Sequence, residues 1–118
     1  MSFFNLLDGL LTTLDVPFYE GQPEFTGEVP EAFISYSVYD VPKLFGCGQE
    51  IYTTYYLTIN IYTTGSDKAA VAGNISTALT AILTENGFVR QSGSYGLTDD
   101  FPEYYHRTIE FNYCREFN

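Results

Sequence analysis

From Ile51 to Tyr62 every residue is aromatic, β-branched, leucine or asparagine, and none is glycine, proline or charged. Side chains alternate across a strand, so Ile51, Thr53, Tyr55, Leu57, Ile59 and Ile61 share one face. Tyr52, Thr54, Tyr56, Thr58, Asn60 and Tyr62 share the other. Gly65-Ser66 ends the run, and Val71, Ile75, Ala78, Leu79 and Ile82 then recur at the spacing of one helix face. A strand this long feeding directly into an amphipathic helix predicts a sheet with a helix packed on it.

The flanking segments extend that unit. Ser2 can cap a helix to about Thr13, with Phe3, Phe4, Leu6, Leu7, Leu10, Leu11 and Leu14 as a wide apolar stripe. Asp15-Val16-Pro17 ends it, because proline disfavours helix in the residue before it. Residues 15–31 hold three prolines, two glycines and four glutamates, and predict an irregular acidic arm laid against the body through Phe18, Tyr19 and Phe25. A strand follows over about Ala32–Tyr39. Asp40-Val41-Pro42 stops it, and residues 40–50 read as a projecting loop, longer than a tight hairpin needs.

The second helix is expected over about Asp67–Glu85, with Asn86-Gly87 as its left-handed stop and a small-residue side that can sit close to a sheet. Phe88–Gln91 reads as a short strand, Ser92–Gly96 as a turn, and Tyr104–Glu116 as the closing strand. Tyr105, Arg107, Ile109, Phe111 and Tyr113 fall on one face of that strand, and His106, Thr108, Glu110, Asn112 and Cys114 on the other. The order is α-β-β-α-β-β: one α+β domain over residues 1–118, a mostly antiparallel sheet with two helices packed on it.

Charge excludes some functions. Fifteen acids against five bases give a net charge of −10, and the sequence pI is about 4.1. Neutralising nucleic-acid phosphates needs lysine and arginine, and Lys43, Lys68, Arg90, Arg107 and Arg115 are scattered. Asp8, Asp15, Glu20, Glu24, Glu28, Glu31 and Asp40 all precede the first base. Cys47 and Cys114 form no CxxC pair, and reduced thiols are expected. The start of the chain does not read as a secretory leader, since Asp8 interrupts an apolar run that has no basic flank. The expectation is a cytoplasmically made protein without a membrane span.

A search for chemistry finds little to build on. His106 lies opposite Ile109 and Phe111 on its strand and reads as a surface imidazole. Eight residues, about 26 Å at ~3.3 Å per residue, separate it from Cys114. One histidine and two distant cysteines do not supply a metal set, and Asp99, Asp100 and Glu103 lack the spacing of a calcium loop. The expectation is no enzyme, no metal and no cofactor. What stands out instead is eleven tyrosines and ten phenylalanines, more than one small core can hold. Tyr52, Tyr56 and Tyr62 are either covered by the arm or first helix, or contact a neighbouring subunit.

An N-terminal helix leading into "VPFYEG", then "PEAFISYSVYD", "YYLTINIYTTGSDKAAVAGNISTAL", "ENGFVRQ" and "EYYHRTIEFNY" together resemble the tail completion, or tail terminator, proteins of long-tailed bacteriophages. The resemblance covers almost the whole chain, although the loop "DVPKLFGCGQE" departs from the Asp-containing segment expected there. It implies a homohexameric ring in the virion, at the head-proximal end of the tail tube. Such a ring ends tube polymerisation and docks the head connector, and no catalytic residues come with it. Subunit or virion contacts are then expected at Lys43, Leu44, Phe45, Tyr52, Tyr56 and Tyr62. Glu20, Glu24, Glu28 and Glu31 are candidates for an acidic lumen that lets DNA slide through without specific binding. A competing reading is an acidic inhibitor or immunity-type protein that neutralises a basic partner.

Overall fold

The computed structural model describes residues 2–21, 23, 25, 29–45, 49–97 and 104–116, with backbone alone at 42–45, 49–52, 92–97 and 115–116. Helix α1 (Phe3–Thr12) is followed by strands β1 (Phe18–Glu20), β2 (Ala32–Phe45) and β3 (Gln49–Thr63). Helix α2 (Lys68–Glu85) and strands β4 (Val89–Leu97) and β5 (Tyr105–Glu116) complete the order. The strands form one sheet, β1-β2-β3-β5-β4. Every neighbouring pair is antiparallel except β1 with β2, which makes the sheet mixed.

The expected α+β architecture is present, with one strand more than expected. Phe18–Glu20, read as part of an irregular arm, runs parallel to Ile34–Tyr36. The Ile34 N–H donates to the Pro17 carbonyl (2.8 Å) and the Gly21 N–H to the Tyr36 carbonyl (2.7 Å). A three-residue strand carries too little periodicity to be seen in sequence, and its partner lies beyond an intervening segment.

Two other boundaries move outward. β2 does not stop at Asp40-Val41-Pro42 but continues to Phe45, with Pro42 in register with Thr53. Past Tyr36 no described strand lies outside β2, and an edge strand tolerates a residue without an N–H. The projecting loop expected at 40–50 is therefore mostly hairpin: Lys43, Leu44 and Phe45 are in β2, the ladder shifts register between Lys43 and Leu44, and β3 resumes at Gln49. Similarly, Ser92–Gly96 is strand, not turn. β5 offers a continuous ladder down to Tyr105, and pairing with it outweighs the poor strand propensity of serine and glycine.

Helix α1 starts as expected, the Asn5 N–H donating to Ser2 Oγ at 3.1 Å, and it buries Phe3, Leu7 and Leu11, while Phe4, also expected in the stripe, points outward and is 46% exposed. Helix α2 buries Ala72, Ser76, Leu79 and Leu83, an arc turned by one residue from the expected stripe. Val71 is 39% exposed, and Ala69, Ala70, Ala78 and Ala81 are also outside. The helix packs on β3, β5 and β4 while touching α1. Two neighbours thus set its buried arc, and Ala72 and Ser76 are small enough to allow both. Gly87, at φ 92°, turns the chain out of α2, and the Phe88 N–H reaches back to the Leu83 carbonyl.

Both helices cover the same face of the sheet. Their buried residues meet Ile34, Tyr36, Leu57, Ile59, Ile61, Ile109 and Phe111, with Phe88 closing one end. Neither helix glycine is required by this packing. A Cβ at Gly9 meets nothing within 4 Å, and at Gly73 it meets only the guanidinium end of Arg107, at 3.9 Å. Gly9→Ala and Gly73→Ala are each expected to stabilise the fold by about 1 kcal/mol, measured as a higher urea midpoint at unchanged m-value.

Candidate functional site: the helix-free face of the sheet

With both helices on one side, no described helix covers the other face of the sheet. Register aligns them in rows: Phe33, Tyr62 and His106; Ser35, Asn60 and Thr108; Ser37, Thr58 and Glu110; Tyr39, Tyr56 and Asn112. Each row crosses β2, β3 and β5, so the period-2 pattern of three separate segments becomes one surface.

The first row is a stack of rings. Phe33 and Tyr62 lie 4.8 Å apart and nearly parallel, and Tyr62 and His106 4.6 Å apart at 4°. Tyr19, Phe25 and Tyr104 close around Phe33, and the Tyr104 hydroxyl donates to the Pro30 carbonyl at 2.6 Å. Tyr19, Phe25 and Pro30 are thus held to the sheet by these contacts. Tyr62, expected either under the arm or first helix or at an interface, is 3% exposed and belongs to this satellite core. His106 is not a free surface imidazole either. It is half-buried, with Nε2 2.8 Å from Asn60 Oδ1. The Thr108 hydroxyl donates to the same oxygen at 2.9 Å.

Farther along the sheet the face opens. Tyr39 stacks on Tyr56 at 4.8 Å and is 62% exposed, while Tyr56 is half-buried. Lys43, Leu44, Phe45 and Tyr52 lie beyond this pair on the hairpin, and only their backbone is described. Glu20 ends β1 and Glu31 precedes β2, both exposed. Glu24 and Glu28 lie outside the described residues, as do Asp99, Asp100, Glu103 and Cys47.

Among the described residues no group of three or more metal-ligating side chains comes together. Cys114 is a free, exposed thiol on the same strand as His106, and the unbroken β5 keeps the two apart. A shallow cavity of about 320 Å³ lies where α1 meets β1, lined by Thr12, Asp15, Val16, Pro17 and Phe18. Its described lining holds one carboxylate and one hydroxyl and no base.

The Tyr36 phenol has a displaced titration. It lies on the helix side of β2, 8% exposed. Burial pushes its phenol above the ordinary value of 10.0, and the carboxylates of Glu20 and Asp8 add to the shift. A raised phenol favours the folded state below the unfolded value, and that contribution disappears as pH rises through the folded value. Stability is therefore expected to fall above pH 10. Tyr36→Phe is expected to flatten that alkaline slope in urea melts taken between pH 8 and 11.

Sequence reasoning identified Tyr56 but missed Tyr39, Phe33, Asn60 and Thr108. The available signal was the alternation within each strand; what it lacked was the register joining one strand to the next. Comparison of the chain with protein-family models and with curated proteins finds no match. Among the described residues no helix is long and apolar enough to cross a membrane.

Proposed function

We propose that this chain is a structural subunit that self-assembles head-to-tail into a ring, of the kind that ends a phage tail tube and joins it to the head connector. The observation that carries this reading is the helix-free face. In a protein of net charge −10, Glu110 is the only acid among the strand residues of that face whose side chains are described. Tyrosine, threonine, serine and asparagine occupy most of the rest. Charge depletion with exposed aromatic residues is the composition of an interface core. A face kept for solvent alone would have no reason to exclude the commonest charged groups of this chain.

The ring reading also gives the remaining acids a role. Carboxylates such as Glu20 and Glu31 at the arm would line a passage that repels DNA phosphates, so that the genome slides without binding. The site of action is then the head-proximal end of the virion tail.

Negative-stain imaging of the protein mixed with polymerising tube subunits tests the proposal. The expected result is tubes of limited length, each capped by a terminal ring. Tubes that grow without limit, uncapped, count against it. Net charge also supports the acidic-inhibitor reading, for which a tight one-to-one complex with a basic enzyme is the diagnostic result.

A further inference from the structure

Among the described residues the sheet has two open edges, and they match. β1 covers only Ile34–Tyr36 of β2, and the Gly21 N–H donating to the Tyr36 carbonyl is the last bond on that side among the described residues. Beyond it, no described strand pairs with the outer side of β2. At the opposite end of the sheet, β4 pairs with β5 on one side and with no described strand on the other.

Unpaired edges invite strand addition, and natural proteins guard them with bulges, prolines and charges. Here the guards sit at the flanks. Pro42 and the register shift at Lys43/Leu44 close one end of the β2 edge, and the irregularity at Arg90/Ser92 closes one end of β4. Between them lie two unguarded windows, Ser37–Val41 and Ser92–Gly96. Together they carry a single charge, Asp40, in a chain with fifteen acids. Windows of this size are the usual length of a strand.

From this geometry we infer that the β4 edge of one copy adds to the β2 edge of the next, with Ser92–Gly96 antiparallel to Ser37–Val41 and position 94 opposite Tyr39. This deepens the ring reading and rests on it. Direction fits: the antiparallel steps from β2 to β3, β5 and β4 leave β4 running opposite to β2, so a copy added with its sheet facing the same way meets β2 antiparallel.

Level along the strands fits as well. Ser94 is in register with Thr108, Thr108 with Asn60, and Asn60 with Ser35. Pairing position 94 with Tyr39 therefore shifts each copy by four residues, about 13 Å at ~3.3 Å per residue. An even shift keeps every helix-free face on the same side. Four strand spacings of about 4.8 Å advance the sheet by about 19 Å. That stagger corresponds to strands tilted by about 35° to the axis, within the range that closes a sheet on itself. Each copy offers one β2 edge and one β4 edge, which is a heterologous contact that can close into a ring.

Disulfide trapping tests the register. In a background with Cys47→Ser and Cys114→Ser, Tyr39→Cys and Ser94→Cys proteins are mixed and oxidised at high concentration, and oligomers are followed by sedimentation. The expected product is the mixed 39–94 crosslink, in large excess over 39–39 and 94–94. The double variant is expected to form ladders ending in a closed species. Tyr39→Lys, at an exposed position that leaves the fold intact, is expected to weaken assembly at least about tenfold by placing a charge on the edge. Oligomers that form normally but give no 39–94 crosslink, or that ignore Tyr39→Lys, overturn the edge pairing and leave the ring reading standing. A chain that stays monomeric to its solubility limit and yields no crosslink overturns both.

Discussion

Phe3→Ala is expected to cost about 3–5 kcal/mol in urea unfolding, the range for emptying a buried aromatic site. Phe3 is the first residue of α1 and only 2% exposed. Its ring lies parallel to Tyr55 at a centroid distance of 4.0 Å. Phe88, just after α2, is 5.9 Å away, and Tyr113 of β5 is 5.7 Å away. One ring therefore joins the first helix, the central strand, the end of the second helix and the closing strand. Alanine would leave a cavity that none of these elements can close without moving the others. Phe4→Ala is the control. Phe4 is 46% exposed and meets Phe3 edge-on at 5.5 Å, so its loss is expected to cost about 1 kcal/mol or less. Similar losses for the two variants would mean that α1 is held mainly by Leu7 and Leu11.

The contrast between Phe3 and Phe4 shows what sequence could and could not disclose. The stripe along α1 was legible because its period matches 3.6 residues and Ser2 marks its start. β3 was legible because its alternation is long and uninterrupted, and β5 for the same reason. The arc buried by α2 was off by one residue, since Val71 and Ala72 are both apolar and only packing against α1 decides between them. β4 was half-missed because its serines and glycines read as a turn until β5 supplies a ladder. The candidate site was the least legible part. Asn60, His106 and Thr108 sit within hydrogen-bond reach only because β3 and β5 pair in one register, and a single-residue slip would turn one set to the other face. Tyr62 shows the same gap from the other side. Its alternation placed it correctly away from the helices, but nothing in the local sequence shows that Phe33 and His106 stack on it.

Phe33→Ala is expected to cost a comparable amount, about 3–5 kcal/mol, but to fail differently. Phe33 is fully buried on the face opposite Phe3. It meets Tyr19 edge-on at 6.2 Å, Phe25 at 5.1 Å and Tyr104 at 5.5 Å, and stacks on Tyr62. These rings hold Tyr19 and Phe25 to the sheet, where β1 itself contributes only three paired residues. Without Phe33 the aromatic pins lose their common partner, while the helix-side core of Leu57, Ile59, Ile109 and Phe111 keeps its contacts. Local release should therefore precede global unfolding. In limited proteolysis under native conditions, cleavage between residues 20 and 31 is expected to speed up more in Phe33→Ala than in a Phe3→Ala variant of equal global stability. Equal protection of that segment in both variants would show that the arm unfolds only with the rest of the chain. The satellite aromatic cluster would then be an extension of the main core across the sheet, not a separate clasp.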